Sequence, residues 1–310
     1  MSDGGPGFIS ALQVALEGEL EEVEVESLVG EKIIVPVLFK DQVSFIESAK
    51  VVGPEFVDKE NRKPLTYSSF GIGELIKHAA ARGAKKIVVG VGGTASIDAG
   101  EGLLEAIFEG PIDLQNPPDW IRNVDLIAAT DVEVPLLGPR GAVRGFGLQK
   151  GLSEIEFDNA ERAIAEKVKT FGRRLDGKDP SLILGAGAGG GIGYGLLALG
   201  GKRASGLEVV FEVTNLDEKL KQADLVVTGE GSLDWQTLTG KVILGLAQKA
   251  QKYGVPTIAL AGRVLAGKRE LAAAGIVGAY GCVEADEPVP TDAYESLRAL
   301  AERLSRTWSS

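Results

Sequence analysis

The sequence predicts an α/β protein of two domains: a Rossmann-like open parallel sheet with a second α/β domain inserted into it. Three observations carry that prediction. Short apolar runs alternate with amphipathic stretches, most regularly in the last third of the chain. Glycine-rich turns fall where several of the apolar runs end. The length, 310 residues, is long for one domain and comfortable for two. The expected division assigns residues 1–20 and 212–310 to the Rossmann-like domain and residues 21–211 to the inserted one.

Taken in order, Glu21–Val29 and Lys32–Phe39 are rich in β-branched residues and read as strands. Gly73–Arg82 has a short helical pattern that puts the single histidine, His78, on a helix surface. Ala84–Val91 is a strand entering a glycine turn, and Ala99–Phe108 continues as a helix. Ile127–Thr130 leads into a polar loop, and Asp158–Arg174 is a charged amphipathic helix. Ala223–Thr228 reads as a buried strand followed by the loop Gly229–Asp234. In Gln236–Tyr253, Leu238, Val242, Leu246 and Ala250 recur with helical spacing, and Gly254 lies just past the end. Val255–Ala261 and Val277–Val283 are further strands, and Lys268–Ala274 and Thr291–Ser305 are helices. This alternation implies parallel strands joined by right-handed crossovers. Ligands of such sheets bind at the carboxyl ends of the strands, where Gly229–Asp234 and Gly262–Arg263 fall.

Composition narrows the function. A formal charge of −11 opposes nucleic acid and anionic lipid as partners, whereas a small anion can still be held by local N–H groups. The only cysteine, Cys282, allows no intramolecular disulfide and no cysteine metal cluster, and one histidine excludes a multi-histidine zinc site. No basic start followed by an apolar run opens the chain, so a cytoplasmic location is expected. Ser181–Gly201 is uncharged and carries GxxxG spacings, but its glycines weaken any membrane helix by about 1 kcal/mol each relative to alanine.

Several segments have the residue types for phosphate or carboxylate chemistry. Gly90–Gly100 (GVGGTASIDAG) has the form of a strand–turn–helix unit. There Gly92 and Gly93 permit a sharp turn, Thr94 and Ser96 offer hydroxyls, the helix N-terminus attracts anions, and Asp98 places a carboxylate nearby. A purely structural turn capped by Thr94 or Ser96 uses the same residues. In FGLQKG, Lys150 sits among glycines in an expected loop and can meet a phosphate as a point charge. Asp131 and Glu133 follow a strand, and either could hold Mg²⁺ through oxygen. GAGAGGG satisfies G-x-G-x-x-G through Gly185, Gly187 and Gly190, a weak dinucleotide signal because the strand before it is short. Thr228–Lys241 (TGEGSLDWQTLTGK) joins Glu230, Asp234 and Lys241 at a strand's carboxyl end, a set suited to metal–phosphate work or to orienting a hydroxyl. There is no G-x-x-x-x-G-K-[ST] loop, which excludes a standard P-loop kinase.

Seven blocks, in order, resemble the type I glycerate kinases: SDGGPGF, SFGIGEL, GVGGTASIDAG, TDVEVPLLGPRGA, FGLQKG, GAGAGGGIGYG and TGEGSLDWQTLTGK. The resemblance implies two α/β domains and ATP-dependent, Mg²⁺-assisted phosphorylation of D-glycerate to 2-phosphoglycerate. The partners it implies are a small hydroxy acid and ATP, and a homodimer is compatible with it. Carried onto matching positions, it offers Asp98, Glu230, Asp234 and Lys241 as catalytic residues. Gly92, Gly93, Thr94, Ser96, Lys150, Gly187 and Gly189 would bind phosphates, Asp3, Gly4 and Gln149 the acid, and Asp131 the metal. The departures are Pro6 for the family's glutamate and Ile97 and Val134 for asparagines, the last resembling an actinobacterial variant. The family's opening strand and PDSFKGS-like loop are expected upstream of SDGGPGF. Here Met1 stands directly before that block, as a start assigned too far downstream or a truncated paralogue would produce. A non-catalytic binding remnant and a nicotinamide dehydrogenase built on Gly185–Gly190 are the competing readings.

Overall fold

Alternation decides the first strands. In β1 (Glu19–Glu26) Val23 and Val25 turn inward while Glu22 and Glu24 face water, and β1 pairs antiparallel with β2 (Lys32–Lys40). The turn between them closes through Ser27 N–H to Glu31 O at 2.8 Å, with Gly30 at φ +82°, so β1 stops short of the expected Val29. β1 is an edge strand, and its outward glutamates oppose pairing with another chain. β3 (Val43–Glu47) pairs antiparallel with β2; β4 (Lys86–Gly90), β5 (Asp125–Ala129) and β6 (Lys202–Ala204) then add in parallel. The result is a six-stranded sheet in sequential order. Near-continuous apolar runs in β3, β4 and β5 fit strands covered on both faces.

The computed structural model describes residues 4–174, 176–234, 242–284, 287 and 292–308, and the chain divides into two compact units, Met1–Val210 and Phe211–Ser310. In the first unit, α1 (Phe8–Leu16), α2 (Ala49–Val52), α3 (Phe70–Ala81), α4 (Glu101–Phe108), α5 (Ala142–Lys150), α6 (Phe157–Phe171) and α7 (Ile192–Ala198) surround the sheet. Its core joins Ile72, Leu75 and Ile76 of α3, Ile87 and Val89 of β4, and Leu103 of α4. Full burial of one such side chain is worth about 1.5–3 kcal/mol.

Residues 4–20 fold here and not with residues 212–310 as expected. Phe8 lies edge-on to Phe45 with ring centroids 6.3 Å apart, and the Glu47 carboxylate accepts the Gly7 and Ile9 N–H groups. His78 is on α3, half-buried, with Nε2 2.9 Å from Glu21 Oε1. Ser181–Gly201 is broken into short turns and α7, and among the described residues no helix is long and apolar enough to cross a membrane.

The division between units falls within α8 (Gly206–Val213). The second unit contains α9 (Leu216–Leu220) and a parallel sheet of β7 (Val226–Leu233), β8 (Thr257–Val264) and β9 (Ile276–Gly281). These strands alternate with α10 (Val242–Lys252), α11 (Lys268–Ala273) and α12 (Ala293–Trp308). Leu233, Ile243, Ala247, Ala259 and Ile276 form its core. Among the described residues the expected βαβα pattern is present, except that Gly229–Leu233, read as loop, continues the strand, Glu230 pairing with Ala261; the first part of the expected helix Gln236–Tyr253 and the first residue of Thr291–Ser305 lie outside the described residues.

Candidate active site

In the first unit the parallel strands β3, β4, β5 and β6 all end on one edge of the sheet, which makes that edge the natural place for a ligand. Glu47 ends β3. It is almost fully buried, and its two oxygens accept the Gly7 and Ile9 N–H groups, each at 3.0 Å, so α1 already has an anion at its N-terminus. The next residue, Ser48, donates its hydroxyl to Gly92 O at 3.3 Å and ties the turn after β4 to β3.

That turn is covered by the Gly4–Pro6 segment. A Cβ on Gly92 would stand 2.8 Å from Gly5 Cα, and one on Gly93 2.6 Å from Pro6 Cγ. Gly4, at φ +89°, lies against Ala129 O. The predicted site glycines 4, 92 and 93 thus let two backbones lie on one another. Asp3 lies outside the described residues.

Asp98 differs from its expected role. Its Oδ1 accepts from Gly100 N (3.0 Å), and its Oδ2 accepts from Ser69 N (2.8 Å), Ser69 Oγ (2.7 Å) and Gly102 N (3.3 Å). Ser69 Oγ in turn receives Leu103 N–H at 3.0 Å. The N-terminus of α4, read from sequence as an open anion site, is therefore already capped by side chains of this protein. With four donors on a 4% exposed carboxylate, Asp98 has the geometry of an anchor and not of a free base.

Lys150 is the last residue of α5, not a loop residue; Gly151, left-handed at φ +107°, ends the helix. Lys150 is only 8% exposed, and its Nζ donates to Thr94 Oγ1 at 2.7 Å and Ser96 O at 2.8 Å. Burial pushes its ammonium down to about 7 from the usual 10.5, against the attraction of Asp98. Along the loop beside it, the N–H groups of Ala95, Ile97 and Ala99 bond to Val52 O, Pro64 O and Gly190 O. Those of Thr94 and Ser96 donate to no acceptor among the described residues, and the buried Ser96 Oγ has no partner. Gln149, the residue before Lys150, is exposed.

Asp131 follows β5. Its Oδ1 accepts from Ser205 Oγ at 2.6 Å, whereas its Oδ2 is buried with no partner among the described residues. Glu133, the other acid offered for a metal, pairs with Arg203 at 2.8 Å. Among the described residues no group of three or more acidic, histidine or cysteine side chains could hold a metal without other ligands.

The GAGAGGG segment follows a short helical turn, Pro180–Leu182, and not a strand, so the dinucleotide fingerprint lacks its context. Gly185 and Gly187 donate N–H groups to Val134 O, each at 3.0 Å. A Cβ on Gly187 would overlap Pro135 O, and one on Gly189 would be 2.7 Å from Val91 Cγ1. At Gly190 and Gly191, both with positive φ, a Cβ would overlap Ser96 O and Ala99 Cα. Gly187 and Gly189, expected as phosphate ligands, lie in tight contact with this protein's own atoms.

In the second unit Glu230 lies within β7 and lines a cleft of about 610 Å³ with Gly231, Gly262, Cys282 and Leu297, and Asp234 follows the end of β7. Lys241 lies outside the described residues. Sequence reasoning missed Glu47, Ser69 and Ser205 as site-building residues. A polar pair, Glu47–Ser48, closing the apolar run of β3 was the readable signal for the first.

The profile of the glycerate kinase family matches residues 1–108 and 110–309. A glycerate kinase of Halalkalibacterium halodurans is 35% identical over 306 residues, covering 91% of this chain and 80% of its own. Glycerate 2-kinase of Escherichia coli is 37% identical over 288 residues, covering 84% and 74%. The crystal structure of a protein described as glycerate kinase 2, from Salmonella typhimurium LT2, superposes with a TM-score of 0.83. It is 30% identical and covers 100% of this chain and 87% of the other.

Proposed function

The chain belongs to the glycerate kinase family, and from that premise we propose that it transfers the γ-phosphoryl group of ATP to D-glycerate, giving 2-phosphoglycerate. The observation that carries the reading is the family match across both units. Phosphoryl transfer of this kind relies on positioning and charge neutralisation, with little covalent work for side chains. The first unit supplies a buried ammonium at Lys150 beside unengaged donors, and an orphaned carboxylate oxygen on Asp131. That orphaned oxygen fits Mg²⁺, which takes one or two carboxylates and keeps several waters. Asp131 would hold the ion and Ser205 would orient Asp131. Bound with ATP, Mg²⁺ supplies neutralisation of the β- and γ-phosphate charge. In the second unit Glu230, Asp234 and Lys241 are assigned to the nucleotide and the acceptor hydroxyl, and Gly262 borders the same cleft as Glu230. ATP as co-substrate argues for a cytoplasmic reaction.

The test is ADP release coupled to NADH oxidation, with D-glycerate, ATP and Mg²⁺, and the product identified by NMR. Turnover with a phosphorus signal coupled to the C2 proton is expected. Folded protein that binds ATP and D-glycerate but releases no ADP would overturn the proposal in favour of a binding protein.

A further inference from the structure

We propose that Lys150, the Ser96 hydroxyl and the N–H groups of Thr94 and Ser96 together form the receptor for the carboxylate of the hydroxy acid, an inference that rests on the kinase reading above. An ammonium has three donors, and two are engaged, by Thr94 Oγ1 and Ser96 O. The third, together with Ser96 Oγ and the two backbone N–H groups, has no acceptor among the described residues. Buried donors are ordinarily paired. A common missing partner for three donors on residues 94–96 and an ammonium beside them is an oxyanion.

The surroundings favour a carboxylate over a nucleotide phosphate. Gly93 is exposed, Thr94 half-buried and Ser96 fully buried, so the segment descends from solvent to an enclosed end. A γ-phosphate must keep room for Mg²⁺ and its waters; a carboxylate needs little. The α4 N-terminus nearby is already neutralised by Asp98, so no helix dipole is left to support a multiply charged anion. Asp98 also acts on Lys150 directly. The protonated lysine and Asp98 sum to zero, a balance that suits one added negative charge better than three or four. Arg62 also packs at this end of α5, its Cβ lying against Gly151.

A proton is linked to this binding. The folded Lys150 titrates near 7, so at pH 8 most molecules hold it as the neutral amine. An arriving carboxylate stabilises the ammonium and draws in a proton from solvent.

Two measurements on the full chain decide the matter. Calorimetric titration with D-glycerate at pH 8, in buffers of different ionisation enthalpy, is expected to show uptake approaching one proton. In steady-state kinetics Lys150→Met is expected to raise KM for D-glycerate at least about 30-fold, with KM for ATP within about twofold. Ser96→Ala, which removes only the unpartnered hydroxyl, is expected to raise the same KM about fivefold. A rise in KM for ATP instead assigns these donors to phosphate and overturns the proposal. No proton uptake together with unchanged KM values makes Lys150 a packing residue and overturns it too. If Lys150→Met loses its near-ultraviolet dichroism, Ser96→Ala and the wild-type proton count decide alone. Wild-type protein that takes up acid and a proton without turnover refutes the kinase reading while leaving the receptor standing.

Discussion

Replacing Lys150 by methionine keeps the length of the side chain and removes its titration. In the unfolded chain Lys150 has the ordinary ammonium pKa of 10.5; in the fold burial lowers it to about 7. Between those values the unfolded chain binds a proton that the native state lacks. Native stability therefore rises with pH across that window, and below pH 7 the contribution is a constant penalty. The full span corresponds to about 5 kcal/mol. Between pH 7 and pH 9 it yields about 2 kcal/mol, because the native lysine is half-protonated at the start. Methionine leaves Thr94 Oγ1 and Ser96 O without their donor, an offset of about 1–3 kcal/mol that does not vary with pH. The difference between the two proteins at a single pH mixes both effects; the slope of that difference contains only the lysine. Urea unfolding at pH 7, 8 and 9 measures it, read at Trp120 after Trp235 and Trp308 are replaced by phenylalanine so that the first unit is followed by itself. The wild type is expected to gain about 2 kcal/mol on the variant from pH 7 to 9. Parallel curves, within about 0.5 kcal/mol, would refute the placement of this ammonium in a dry site.

Asp98→Ala removes the acceptor of four donors and is expected to lower the stability of the first unit by about 3–5 kcal/mol, checked by the same urea measurement. Gly190→Ala drives a methyl group into Ser96 O at φ +73° and is expected to cost at least about 3 kcal/mol. Gly200→Ala, with φ +95° but open space around it, is expected to cost only about 1 kcal/mol. Asp131→Asn keeps an oxygen for the Ser205 hydroxyl, so thermal melting is expected to stay within about 2 °C while kcat falls about 100-fold. A Mg²⁺ titration of the rate is the second readout for that variant, and an unchanged metal requirement would remove Asp131 from the metal site.

Much of the architecture was legible because local pattern and tertiary role agree. The alternation of β1, the apolar runs of β4 and β5 and the helical spacing in α10 each report the burial they have in the fold. The grouping of residues 4–20 was not legible, because it depends on Glu47, forty residues away, accepting two N–H groups. Nor was the end of β7: glycine and serine read as loop, yet Gly229–Leu233 continues a strand whose partner β8 supplies the pairing. At the candidate site the residue types were legible, but which of their hydrogen bonds are made within the protein was not. Asp98, Lys150 and Ser96 are all polar residues in glycine-rich surroundings, and sequence cannot say which has its hydrogen bonds already made.

That distinction alters how the glycine motifs are to be understood. In a phosphate-binding loop, glycines expose a row of N–H groups to a ligand. Here Gly4 and Gly92 admit neighbouring backbone, Gly93 admits Pro6, and Gly190 and Gly191 admit the segment that carries Ser96 and Ala99. Three chain segments are thereby stacked at van der Waals distance, with Asp98 and Glu47 capping the helices that would otherwise attract anions. Such stacking leaves few degrees of freedom around Thr94 and Ser96, so the donors that remain are held in place before any ligand arrives. Preorganised donors lose little entropy on binding. Recognition then falls to side chains on a rigid backbone, and conservative changes at Ser96 and Asp131 should alter binding and rate with little effect on the fold. Changes at the glycines should do the reverse.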